Sequence, residues 1–146
     1  MLRRKDWPEK LSAFLWERDK TPMKWGVSDC TLFAADAIEV MNGSDPAHFF
    51  RGKYKNKKEA FKMLKAFAGG GLEATTERVF AEMGYPEIPV DDANSGDVVL
   101  MEVENVDPEA EGYTTGIMAN EMTAIAQGKD GLVYVENPDL KRAWHI

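Results

Sequence analysis

The first half of the chain spaces its apolar residues three and four apart, and the second half sets them in short runs and alternations. The first pattern predicts helices and the second strands. Trp7, Leu11, Phe14 and Leu15 share one helical face, with Pro8 in the first turn where its missing N–H leaves no bond unmade, so a helix is expected to end near Asp19. Thr21-Pro22-Met23-Lys24 connects to Trp25-Gly26. A second helix follows in which Cys30, Phe33, Ala34, Ala37, Ile38 and Met41 align, with Ser28 and Asp29 as N-cap residues and Asn42-Gly43 as its stop. Asp45-Pro46 opens a loop that returns Phe49, Phe50 and Tyr54 to the core. Ala60, Phe61, Leu64, Phe67 and Ala68 give a third helix halted by Gly69-Gly70-Gly71. Leu72, Thr76, Val79, Phe80 and Met83 give a fourth, which stops at Gly84-Tyr85-Pro86.

After Pro86 the character changes. Residues 86–95, rich in Pro, Asp and Asn, read as a loop, and Asp97 to Val103 as a strand whose apolar run ends in alternation. Glu102 to Gly112 is expected to be an acidic loop. Tyr113–Met118 and Met122–Gln127 read as two strands joined by Ala119-Asn120-Glu121. Gly128-Lys129-Asp130-Gly131 turns the chain into Leu132–Val135, and Arg142–Ile146 closes it. The expected architecture is α+β: N-terminal helices followed by an antiparallel sheet of about five strands, in a single domain over residues 1–146.

Composition narrows the function classes. A chain of 146 residues buries enough surface to fold without disulfides or metals, and its one cysteine excludes an internal disulfide. With 18 Lys plus Arg against 25 Asp plus Glu, the net charge of -7 argues against a nucleic-acid partner. No apolar run is long enough to span a membrane, and Met1-Leu2-Arg3-Arg4-Lys5-Asp6 leads into no apolar secretory core. Synthesis in a cytoplasm is the expectation, and association with a virion is compatible with it.

Cys30 carries the candidate chemistry. In the first turn of a helix, unpaired N–H groups and the helix dipole favour an anion and lower a thiol pKa from about 8.5. The same periodicity sets Cys30 on the buried face, and Asp29 beside it opposes a second negative charge. Nucleophile and core cysteine both remain open on this evidence. The glycine triplet lacks the preceding strand and following Lys-Ser or Lys-Thr of a phosphate loop, and Glu102, Glu104, Asp107, Glu109 and Glu111 lack calcium-loop spacing. There is no Cys/His cluster for zinc, so no metal and no cofactor is expected.

A helix opened by Asp29-Cys30, a strand start Gly96-Asp97-Val98-Val99 and a strand reading Thr114-Thr115-Gly116-Ile117 resemble the NlpC-type papain-like cysteine peptidases of bacterial cell walls. More closely, the order Trp25-Gly26, Asp29-Cys30, Asp45-Pro46, Arg51-Gly52-Lys53-Tyr54, Gly96-Asp97-Val98-Val99, Gly116-Ile117, Gly131-Leu132 and Ala143-Trp144 resembles a family of short proteins encoded in phage and prophage tail modules. The resemblance implies a papain-like core. It also implies a histidine two residues before the glycine of the x-x-Gly-Ile strand and a polar residue on the next strand that orients it. Here the histidine position holds Thr114, and the orienting position falls near Ala126 or Gln127. Neither exchanges a proton near neutral pH.

His48, in the loop after the cysteine helix, and His145, beside Trp144 on the last strand, are the only histidines, and His145 is the one candidate replacement base. Three functions follow from the resemblance. The first is a catalytically degenerate domain in phage tail structure or assembly, with other tail proteins as partners. The second is an active hydrolase of cell-wall peptide or another amide, with Cys30 as nucleophile. The third is a non-cleaving module that holds a peptide or glycan in a groove formed by Trp25, Asp29, Tyr113, Gln127 and Trp144.

Overall fold

The computed structural model describes residues 2–107 and 112–146; part of the expected acidic loop, residues 108–111, lies outside the described residues. Four helices come first: Trp7–Arg18 (α1), Cys30–Asn42 (α2), Lys57–Ala68 (α3) and Leu72–Met83 (α4). Six strands follow: Glu87–Ile88 (β1), Val98–Glu102 (β2), Tyr113–Met118 (β3), Thr123–Gln127 (β4), Leu132–Glu136 (β5) and Leu140–Trp144 (β6). They form one antiparallel sheet in the order β1-β6-β2-β3-β4-β5. The fold is thus α+β with N-terminal helices. The strand beyond the expected five is β1, two residues that carry no periodicity and pair only with Trp144 and Ala143.

Local chemistry sets the helix ends. Asp29 Oδ1 accepts from the Leu32 N–H at 3.0 Å to open α2, and Gly43 ends it in the left-handed region at φ 84°. Asn56 caps α3 by accepting from the Glu59 N–H at 2.9 Å, while the Glu59 carboxylate accepts from Asn56 Nδ2 at 3.0 Å and from the Lys55 N–H, so Asn56 and Glu59 each satisfy a donor of the other.

Alternation along the strands divides the sheet into two faces. Val98, Leu100, Ile117, Ile125 and Trp144 meet the helices, chiefly Phe33, Ile38 and Met41 of α2. Val99, Met101, Met118, Ala124 and Ala143 form the other face, covered by Ile88, Val90, Ala93, Val106 and Leu140. The side chains of Leu32, Phe33, Ile38 and Met41 are wholly buried, each contributing roughly 1.5–3 kcal/mol, which makes α2 the central helix. α3 stands off the sheet and packs through Ala60 and Leu64 against Leu32, Ala35, Phe50 and Tyr54. That position leaves Phe61, expected on the apolar face of α3, 49% exposed. Among the described residues, no helix is long and apolar enough to cross a membrane.

Candidate functional site around Cys30

The turn before α2 is built so that Asp29 can be buried. Gly26 adopts φ 77°, and a Cβ there would lie 2.1 Å from the Tyr54 carbonyl oxygen, so the turn and the 50s loop touch backbone to backbone. Asp29 is 1% exposed and satisfied by three donors: the Leu32 N–H at Oδ1, and at Oδ2 the Gly26 N–H at 2.9 Å and the Tyr54 hydroxyl at 2.6 Å. Burial and the adjacent Asp29 carboxylate push the Tyr54 pKa far up, so this phenol stays a donor.

Cys30 follows at the first position of α2, half-buried. Its carbonyl accepts from Thr115 Oγ1 at 2.8 Å, which ties the helix start to β3. The thiol faces the hydroxyls of Thr114 and of Thr31, the latter 4.0 Å away. Burial pushes the thiol pKa up from its usual 9.0 and the Asp29 charge adds to that; the hydroxyls of Thr114 and Thr31 and a backbone bond from Thr115 pull it down without reversing the direction. Desolvation, the largest of these effects, sets the direction.

β3 and β4 pair at Ile117↔Ile125 and Met118↔Ala124, and beyond those pairs their Thr114 and Gln127 ends border a cavity of about 510 Å³. Cys30, Asp29, Thr114 and Gln127 line it together with Trp25, Phe61, Leu64, Leu72, Val103 and Tyr113. Gln127 is fixed: its Oε1 accepts from Arg18 Nε at 3.1 Å, and its Nε2 donates to the carbonyls of Thr21 and Gly128. Arg18 is anchored in turn by Asp36 at 2.7 Å, Asp36 by Arg51 at 2.5 Å and Arg51 by Asp45 at 2.6 Å. Tyr54 and Arg18 are the parts of this site that the sequence reading missed. The loop 51–54 motif was visible, but its partner Asp29 lies 25 residues away and no local pattern encodes the pairing.

The structure therefore brings Cys30, Thr114, Gln127, Asp29, Trp25 and Tyr113 to one cavity. It does not bring Trp144 or His145 there. Trp144 is 2% exposed in the core, edge-on to Phe80 with ring centroids 5.4 Å apart, because the pleat turns it toward the helices. His145 follows β6 rather than lying on it, at the Val98 end of the sheet, whereas Thr114 pairs with Met101 at the other. Its Nδ1 lies 2.8 Å from Asp97 Oδ1, which also accepts from Arg3 Nη2 at 2.7 Å. His48 is exposed and packs edge-on against Phe49, away from the cavity lining. Among the described residues, no group of three or more His, Cys, Asp or Glu is arranged to hold a metal.

Chemically, the cavity offers a protonated thiol, neutral hydroxyls, a saturated amide and a saturated carboxylate, in a mainly apolar lining. No imidazole reaches the thiol. No curated protein and no solved structure matches the chain. A family model matches residues 2–146, and the chain belongs to that family, described as Domain of unknown function (DUF6950).

Proposed function

We propose that this chain is a papain-like domain of the NlpC type that no longer hydrolyses, acting in the structure or assembly of a phage or prophage tail. The observation that carries the reading is the partner of the thiol. At the position where the resemblance calls for histidine, Thr114 meets Cys30, and burial keeps the proton on sulfur. An amide hydrolase of this kind needs a thiolate and a group that returns the proton to the leaving amine. Losing the base alone removes typically 10²- to 10⁴-fold. That Cys30, Thr114 and Gln127 occupy one cavity also supports the papain-like reading, since these are the nucleophile, base and orienting positions the resemblance assigns. The tail role rests on the motif order that runs from Trp25-Gly26 to Ala143-Trp144.

One observation favours a second reading, binding without cleavage. The cavity keeps its volume and its aromatic lining of Trp25, Phe61 and Tyr113, the composition of a site that holds ligands by apolar contact.

The test is incubation of the wild-type chain and Cys30→Ser with cell-wall peptide, with products followed by mass spectrometry. The reading expects no product above the protein-free control from either chain. Product from the wild type that Cys30→Ser loses would overturn it and establish the hydrolase. Saturable binding without product selects the second reading. Thr114→His adds an imidazole at the position in question and is expected to bring the alkylation midpoint of Cys30 below about 8.5.

A further inference from the structure

Charge is segregated along this chain far more than its net value of -7 suggests. Residues 51–65 carry seven cations and one acid, whereas residues 86–139 carry thirteen acids and one cation. The fold gives this segregation a direction. The basic segment is α3 and the loop before it, on the helix side of the sheet. Its Lys58, Lys62 and Lys65 are exposed on the outer surface of α3 and enter no ion pair among the described residues.

The acidic segment borders a groove of about 590 Å³ beside Val90, Met118 and Leu140, which belong to the opposite face of the sheet. Asp91, Glu102, Glu121 and Asp139 line this groove, and none of the four is in an ion pair among the described residues. The one cation lining it, Lys141, is held by Glu73 at 2.8 Å.

Among the described residues, the exposed lysines of α3 and the carboxylates of the groove form no ion pair with each other, so each surface presents its charge to a partner. We infer that the α3 surface of one copy docks in the acidic groove of the next, giving a head-to-tail association of this chain with itself. A contact between two different patches generates a ring if the rotation closes and a filament if it does not. Other anionic occupants of α3 fit less well. Ala60 and Leu64 are spent on the core and leave Phe61 as the exposed large apolar residue of α3, too narrow an apolar stripe for a lipid surface, and the net charge of -7 disfavours a polyanion.

Sedimentation velocity at about 50 mM and about 500 mM NaCl reads the association, since exposed charge pairs are screened over this range. The wild type is expected to form species larger than a dimer at low salt and to dissociate at high salt. Two charge reversals are expected to be monomeric alone: Lys58→Glu/Lys62→Glu/Lys65→Glu on α3, and Asp91→Lys/Glu121→Lys/Asp139→Lys in the groove. Their equimolar mixture is expected to associate again, which a misfolded variant cannot do. A wild type that stays monomeric at low salt overturns the inference, whether or not it binds a single-stranded oligonucleotide or anionic phosphatidylglycerol vesicles. So does a closed dimer, or a mixture that fails to associate. Neither surface includes Cys30, so this failure and that of the hydrolysis reading are separable.

Discussion

Tyr54 donates its hydroxyl hydrogen to Asp29 Oδ2 at 2.6 Å, and through that bond the 50s loop holds the cap of the cysteine helix. Asp29 is buried among three donors, so removing one leaves part of its carboxyl group without a partner. Tyr54→Phe is expected to destabilise the fold by about 1.5–3 kcal/mol, because hydrogen bonds to buried charges exceed neutral ones. Chemical denaturation of the two chains measures it, and an unchanged midpoint would show the bond to be dispensable.

Gly26 makes the same junction from the other side. Alanine there meets both the positive φ and the Tyr54 carbonyl, which must move. The expected loss is about 2–4 kcal/mol. Thermal unfolding of Gly26→Ala checks it.

The raised thiol and phenol give a pH signature. The unfolded chain releases the Cys30 proton near 9.0 and the Tyr54 proton near 10.0, while the folded chain retains both longer. Above those values the unfolded state binds fewer protons, so stability falls as pH rises. Both contributions are fully present at neutral pH and are lost through the alkaline range. Denaturation midpoints measured from about pH 7 to 11 are expected to fall above about pH 9, and Cys30→Ala is expected to remove part of the slope.

Asp36 sits between Arg18 and Arg51. Arg18 Nη2 is buried without a hydrogen-bond partner, so Asp36→Ala leaves a mostly buried guanidinium further uncompensated. A loss of about 3 kcal/mol is expected. Asp36→Asn, which keeps an acceptor but no charge, is expected to fall between the two in the same unfolding assay.

What the sequence makes legible is what local chemistry decides. Asp29 as a cap, Gly43, Gly69 and Gly84 as stops, and the strand limits of β3, β4 and β5 are encoded by neighbours a few residues apart. β1 was hidden because its only partners are Trp144 and Ala143, more than fifty residues on. Trp144 reads equally as groove or core until the register of β6 on β2 sets its side of the pleat. Cys30 was legible from its place at the start of a helix, whereas Thr114 and Gln127 were found only through the resemblance. Nothing between residues 30 and 127 states that the ends of α2, β3 and β4 converge. The charge of the chain read as one number also concealed its division between α3 and the sheet.

The thiol of Cys30 is held protonated with no base beside it, and alkylation by iodoacetamide as a function of pH tests this on the only cysteine of the chain. The folded protein is expected to label slowly at neutral pH, with a midpoint above 9.0, and to reach the rate of a free thiol only in denaturant. Rapid labelling of the folded protein with a midpoint well below about 8.5 would show a stabilised thiolate and contradict the account.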